Sequence, residues 1–328
     1  MKLIVSVALI AGLLAVSAVS SSAQPLPKDE AVIDFGAAFG VWIRMNNTSW
    51  VKLHGISPEG MLIADADGNG LNDLFVAFGP PYGLWVWMNN SNWVRIHSGT
   101  PGGEGAGAGD LDGNGQDDIV IDWGAPFGIW IWMNNSGWVK LHGATSEGLT
   151  VGDFDGSGQD DVAIDFGGAG IWIRMNNTSW VKRHGISPEG EAIADLDGNG
   201  QDDLLVAFDA PHGVWIWMNN SSWVKFLQSS PEDAAIGDLD GNGQDDIAVD
   251  FGAVLGLWIW MNNSNWVKLH SLSSERMATG DLDGSGQADV IIDFDSPHGI
   301  WVWMNNSNWV RLHGTSAEQI LTGDMDGF

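Results

Sequence analysis

One phrase, Trp-Ile/Val-Trp/Arg-Met-Asn-Asn, recurs along the chain with its first Trp at positions 42, 85, 130, 172, 215, 258 and 301. A second phrase, Asp-x-Asp-Gly-Asn/Ser-Gly, begins at Asp65, Asp110, Asp153, Asp195, Asp238 and Asp281, and starts again at Asp324. Neighbouring copies lie 42 to 45 residues apart. Self-similarity at such a period means that one supersecondary unit, unable to bury its apolar face alone, is stacked on copies of itself. The 305 residues of positions 24–328 divide into seven units of about 43.6, which leaves no room for a further domain.

Each unit reads as four short strands. Around the loop at Asp153 they are Gly148 to Asp153, Asp161 to Phe166, Ile171 to Met175 and Trp180 to His184. These runs are β-branched and aromatic, and Gly, Asn, Asp and Pro bound them. No window sustains a 3.6-residue period, so helix should be minimal. Four strands in this length is the size of a propeller blade. The expected fold is all-β, a seven-bladed β-propeller of four-stranded blades. A β-solenoid, whose coils are usually shorter, and a string of small domains are the alternatives.

The ends of the sequence bear on closure. The chain stops inside an acidic loop, at Asp324-Met-Asp326-Gly-Phe328, after one first strand. Asp29 to Phe35 matches the second strand of the other copies. One blade is therefore expected to take its first strand, Ser316 to Asp324, from the C-terminus and three from the N-terminus, which hides the edges of an open array. An ending cut from a longer array is the alternative. A coarser period is also present. Trp42 to Trp50 recurs unchanged as Trp172 to Trp180. Ligand sites around the ring are then expected in two or three flavours.

Composition narrows the function. The chain has 42 acidic residues against 13 Lys plus Arg, a formal net charge of −29. Such a chain repels the phosphate backbone that supplies most nucleic-acid affinity, and it repels anionic membrane surfaces. Aromatics at 10% exclude a disordered acidic tail. With no Cys there are no disulfides, thiolate metal sites or Cys nucleophiles. Lys2, the apolar run Leu3 to Val19 and the small residues Ser21-Ser22-Ala23 read as a cleaved secretory signal over residues 1–23. A membrane anchor is the alternative, but the run is short for one. The expected product is a secreted monomer without membrane insertion.

The acidic loops carry the chemistry. Positions 1, 3, 5 and 9 offer oxygen side chains, and position 7 can offer its carbonyl. The candidate ligand sets are Asp65, Asp67, Asn69, Leu71 and Asp73, then Asp110, Asp112, Asn114, Gln116 and Asp118. Asp153, Asp155, Ser157, Gln159 and Asp161 follow, and Asp195, Asp197, Asn199, Gln201 and Asp203. The last complete sets are Asp238, Asp240, Asn242, Gln244 and Asp246, and Asp281, Asp283, Ser285, Gln287 and Asp289. Hard oxygen donors without His or Cys suit Ca²⁺. An EF-hand needs Glu at position 12, where these loops have Val76, Ile121, Ile164, Val206, Val249 or Ile292. A solvated turn is the plainer reading of Asp, Asn and Gly, but it leaves the like charges without an offset. Six Ca²⁺ would offset twelve of the negative charges. A seventh site can form only across the termini, from Asp324, Asp326 and Glu30.

These residues resemble the FG-GAP/VCBS repeat family, related to the integrin alpha-subunit propeller. Asp-Leu-Asp-Gly-Asn-Gly-Gln-Asp-Asp is the specific part, and Phe35-Gly36-Ala37, Trp123-Gly124-Ala125-Pro126 and Phe251-Gly252-Ala253 stand where that family has its namesake sequence. Phe208-Asp209 and Phe294-Asp295 depart from it. The resemblance implies a calcium-binding propeller, usually extracellular, used in adhesion, carbohydrate binding or as an accessory module. It implies no single activity.

Three further features are candidates. Strand alternation puts both Trp of each pair on one face. The plain expectation for them is blade-to-blade core. The second position, however, alternates between Trp87, Trp132, Trp217, Trp260, Trp303 and Arg44, Arg174, as a partly exposed position would. Indole faces beside Asn amides suit sugar rings, so these residues are the candidate ligand contacts. Lys52 and His54, like Arg95 and His97 or Lys140 and His142, are expected to share a face of the outermost strand, as edge protection. The Asn-Asn-Ser/Thr turns are formal glycosylation acceptors. Nearly every polar residue belongs to the repeat, and no set of unlike groups converges as catalysis requires. The expectation is a non-enzymatic binding module for a glycan or an extracellular protein surface.

Overall fold

The computed structural model describes residues 28–103, 105–208 and 210–327. The segment 1–23, read as a secretory leader, lies outside them. The described residues form 28 strands in seven antiparallel four-stranded sheets, with a single 3₁₀ turn at Gly167–Ala169. No helix among them is long and apolar enough to cross a membrane. Blade 4 shows the pattern: Gly148–Gly152 innermost, then Asp161–Asp165, Ile171–Met175 and Ser179–Lys182 outermost. Sequence-based bounds differ from these by at most two residues. The chain forms a seven-bladed β-propeller.

Blade 1 is shared between the chain ends. Gln319–Gly323 pairs antiparallel with Glu30–Asp34, with Glu30 opposite Gly323 and Asp34 opposite Gln319. Val41–Met45 and Ser49–His54 complete that sheet.

The core lies in the seams between blades. Leu111, Val120, Ile129 and Ile131 of blade 3 meet Leu149, Val151, Val162 and Ile164 of blade 4 in one cluster. Sheet period 2 supplies this, because both faces of every blade are covered and second strands such as Asp118–Asp122 are buried throughout. Near the axis the blades converge, and small residues are required. A Cβ on Gly109 would fall 2.7 Å from Val151 and 2.3 Å from the Asp160 carboxylate.

One residue breaks the apolar pattern of the innermost strands. Where the other blades have Met61, Ala106, Leu149, Ala234, Met277 and Ile320, blade 5 has Glu191. It is 8% exposed, and neither of its carboxylate oxygens has a hydrogen-bond partner. Burial, then the nearby Asp165, pushes its carboxyl from 4.5 up to about 8. A carboxyl with a raised folded pKa stabilises below its unfolded pKa and loses that contribution as pH rises through the folded value. The contribution of Glu191 to stability should therefore be lost between about pH 4.5 and pH 8. Glu191→Met should remove this slope and raise stability at pH 8 by on the order of 3–5 kcal/mol, at about 1.4 kcal/mol per unit. Denaturant unfolding of both proteins at pH 5 and 8 checks it. Parallel pH slopes would contradict the assignment.

Candidate functional site

The acidic loops and the Asn-Asn turns lie at the same end of every blade. In the loop at Asp110, the first carboxylate accepts the backbone N–H groups of Gly113 (2.8 Å), Asn114 (3.0 Å) and Gly115 (2.7 Å). That wraps the loop around its own first residue, with Gly113 and Gly115 at φ 75° and 84°, where only glycine is unstrained. Position 2 anchors the turn in a seam, since Ala66, Leu111, Phe154, Leu196, Leu239, Leu282 and Met325 are all at most 1% exposed. Position 9 is buried at the head of the second strand, with Asp73, Asp118, Asp161, Asp203, Asp246 and Asp289 at 0% exposure.

Among the described residues, four loop groups bring three carboxylates within 4.8 Å of one another. They are Asp153/Asp155/Asp161, Asp238/Asp240/Asp246, Asp281/Asp283/Asp289 and the terminal set Glu30/Asp324/Asp326. These clusters can chelate a divalent ion. Buried carboxylate oxygens without a partner mark the same region elsewhere: Asp67 Oδ1, Asp73 Oδ2, Asp118 Oδ2, Asp197 Oδ1 and, within one of the clusters, Asp240 Oδ1. An orphaned buried carboxylate oxygen is costly unless a cation meets it. Burial first, and then neighbouring carboxylates, raise the position-9 groups, Asp118 to about 6 and Asp161 and Asp289 to about 7. A bound cation inverts that logic. The position-7 carbonyl lies at the loop in two blades, where the Ser157 and Ser285 hydroxyls donate to Gln159 O (3.3 Å) and Gln287 O (3.4 Å). Oxygen donors, burial and orphaned atoms together fit Ca²⁺.

The split loop has the same wiring. Met325 N donates to Glu30 Oε2 (2.8 Å), as Leu239 N does to Asp246 Oδ2 (3.1 Å). Glu30 thus occupies position 9 of a loop whose first residues lie at the other end of the chain. Burial, more than the neighbouring Asp326 and Asp324, raises its carboxyl to about 7.

The Asn-Asn pairs form turns, as the sequence indicated, but their bracing of the acidic loops was not read from it. Both Asn have φ between 44° and 52° in every blade, a conformation Asn tolerates in a type I′ turn. The first Asn reaches back across the sheet. Asn134 N donates to Asp118 Oδ1 (2.7 Å) and Asn134 Nδ2 to Asp112 Oδ2 (2.9 Å). Asn46 does the same to Glu30 Oε1 (3.0 Å) and Asp326 Oδ2 (2.9 Å). The amide nitrogen that glycosylation would use is therefore engaged in holding the loop. The signal available was an Asn lying 16 residues after position 9, as in Asp118 to Asn134.

The Trp/Arg position sits beside these turns. Trp87, Trp217, Trp260 and Trp303 donate Nε1–H to Oδ1 of the second Asn, at 3.2–3.5 Å, and lean on the outermost-strand Trp at 5.0–5.3 Å. Arg44 and Arg174 lie over Trp50 and Trp180 at 5.4 and 5.5 Å and donate to turn carbonyls such as Asn47 O and Asn177 O. Trp and Arg are interchangeable here because both cover an indole and donate to the turn. Trp132, at 7% exposure, is the most buried of the set.

The opposite rim corrects one expectation. Lys52 and His54 do not share a face. A β-bulge sets Trp42 opposite Lys52 but Val41 opposite His54, which turns the two side chains to opposite sides. Lys52 lies over Trp42 at 5.5 Å, whereas His54 packs on Phe78 (4.3 Å) and Trp93 (5.8 Å) of the next blade. In the seam between blades 5 and 6, Leu227 stands in the His position, and Phe226 stacks on Trp266 at 5.6 Å. Between blades 4 and 5 the same seam opens into a cavity of about 230 Å³, lined by His184, Ile186, Phe208, His212, Trp215 and Trp223. Trp215 is the first Trp of its pair, and its Nε1–H donates to His212 O (3.0 Å).

Residues 65–121 match the FG-GAP-like repeat model. No curated protein matches the sequence. A lectin of Agrocybe aegerita, from a structure describing specific recognition of non-reducing terminal N-acetylglucosamine, is 20% identical with a TM-score of 0.68, over 92% of this chain and 97% of that one. BBS1N, solved in complex with ARL6DN, is 13% identical with a TM-score of 0.57, over 84% of this chain and 91% of that one. The Dos1 propeller is 11% identical with a TM-score of 0.52, over 90% of this chain and 86% of that one. At these identities the likeness is one of fold. The chain carries an FG-GAP-like repeat domain, folded as a seven-bladed β-propeller with acidic loops able to chelate divalent ions.

Proposed function

We propose that this protein is a secreted, calcium-stabilised and multivalent carbohydrate-binding module rather than an enzyme. The observation that carries the reading is the aromatic cavity between blades 4 and 5, on the rim away from the acidic loops. Trp215 and Trp223, both partly exposed above the buried Phe208, offer apolar faces to the C–H face of a sugar ring. His184 Nδ1 accepts the Ile186 N–H (3.2 Å), which leaves Nε2 as the donor for a hydroxyl. At about 230 Å³ the cavity is smaller than the roughly 300–1,000 Å³ of drug-sized sites, a size for a single sugar residue. Similarity to a sugar-binding lectin supports the same class. Related His–aromatic–Trp seams recur around the ring, so weak single sites would act through avidity.

Calcium has the structural part. The six complete loops would each hold one ion through positions 1, 3, 5 and 9 and the position-7 carbonyl, and Glu30, Asp324 and Asp326 a seventh. The ion neutralises carboxylates that the fold forces together and leaves the opposite rim to the ligand. A second reading, a protein-docking propeller, rests on the exposed turn residues Phe39 (51%), Phe127 (62%) and Val254 (93%). A glycan array in calcium separates the two. Carbohydrate binding that drops several-fold in Trp215→Ala is the expected result. A folded protein that retains no glycan would favour the docking surface.

A further inference from the structure

Each acidic loop is tied to the next blade, and the tie uses the residue between two candidate ligands. In the seam between blades 3 and 4, Asp160 N donates to Asp110 O (2.9 Å), and Asp110 N donates to Asp160 Oδ2 (2.8 Å). The Gln159 side-chain amide donates to Leu111 O. Gln159 and Asp161 are positions 7 and 9 of the following loop, and Asp160 is position 8. A single tripeptide therefore supplies ligands to its own loop and grips the first residue of the preceding one.

The tie is complete in four consecutive seams, through Asp117, Asp160, Asp202 and Asp245. It then weakens. Position 8 of blade 7 is Ala288, which keeps only the backbone bond to Asp238 O (2.8 Å) and the Gln287 amide to Asp240 O (3.1 Å). Between blades 7 and 1 both aspartate bonds return, for Asp29 N donates to Asp281 O (2.8 Å) and Asp281 N donates to Asp29 Oδ2 (2.9 Å). Between blades 1 and 2 position 8 is Asn72, after Leu71, with a backbone bond to Asp324 O (2.7 Å).

We propose that the five loops beginning at Asp65, Asp110, Asp153, Asp195 and Asp238 fill with calcium as one cooperative unit, and that those at Asp281 and Asp324, tied to each other through Asp29, fill as a separate pair. This rests on the reading of the loops as calcium sites. An ion bound at positions 7 and 9 immobilises position 8, and position 8 sets the backbone of the first ligand in the neighbouring loop. The neighbour then has less ordering left to supply when its own ion binds, which is positive coupling. Coupling of this kind raises affinity by on the order of tenfold per filled neighbour.

Calorimetric titration of the calcium-free full chain with Ca²⁺ tests this. The expected isotherm has a steep phase with a Hill coefficient above unity, and a separate shallow phase. Asp160→Ala, which copies Ala288, should cut the unit into two and three loops and flatten the steep phase without changing the number of ions. Ala288→Asp should join the pair to the five loops and move its two ions from the shallow phase into the steep one, and this decides the matter if Asp160→Ala fails to fold. Independent sites of normal stoichiometry, or equal steepness in the wild type and Ala288→Asp, would overturn the coupling alone. A titration that binds no calcium would overturn the metal reading itself.

Discussion

Excess chelator is expected to lower the melting temperature sharply, with recovery on adding Ca²⁺ and poor recovery with Mg²⁺. A ligand that binds only the native state stabilises it by about 2.7 kcal/mol per site at a hundredfold excess over Kd. Several such sites are large against a net stability of about 5–15 kcal/mol. Mg²⁺ substitutes badly because it gives up water reluctantly and demands octahedral geometry. The pH response should change sign with the ion. Without a cation, burial and neighbouring carboxylates raise Asp161 and Asp289 from 3.8 to about 7, so stability is present at low pH and is lost as pH rises toward 7. With calcium bound, protons compete with the ion, and stability should instead rise with pH over that window. Melting curves at pH 5 and 7.5, with calcium and with chelator, check both points. Identical curves in the two conditions would refute structural calcium.

Deletion of residues 319–328 should be as damaging. The strand Gln319–Gly323 supplies Ile320 and Leu321, at 2% and 4% exposure, to the two seams beside blade 1, and Met325 is fully buried. Each such side chain contributes about 1.5–3 kcal/mol when buried. Its removal also strips Glu30–Asp34 of a partner and exposes an edge that can pair with other chains. Ser316 and Ala317 are retained in this variant because they hold the buried Asp293 carboxylate. The expected result is aggregation on size-exclusion chromatography, or a melting transition lowered by well over ten degrees. A monomeric variant of unchanged stability would show that the clasp is dispensable. A chain with its ends joined and the ring opened between two other blades should stay folded, because every strand keeps its neighbours.

Much of this was legible because it is local. The repeat period fixes the blade count, and Asp-x-Asp-Gly-Asn-Gly-x-x-Asp places its oxygens within nine residues. The turn glycines and the Asn-Asn pairs declare the strand ends by their φ preferences. Even the shared blade could be expected, since the chain's first strand matches a second strand of the repeat.

Other features depend on partners far apart in the sequence. That Glu30 completes the terminal loop rests on a bond to Met325, 295 residues away, and on Asn46 reaching Asp326. That the histidines cement neighbouring blades, instead of lining an edge with lysine, follows from one bulge residue, which alternation alone cannot reveal. That the indoles of Trp87 and Trp217 are engaged by Asn, while Trp215 lines a cavity, depends on how adjacent blades meet. Local sequence determined the unit and its number, because strand period, turn chemistry and ligand spacing act within a few residues. Tertiary structure alone decided what each unit offers its neighbours, because the seams are built by side chains that meet only once the ring has closed.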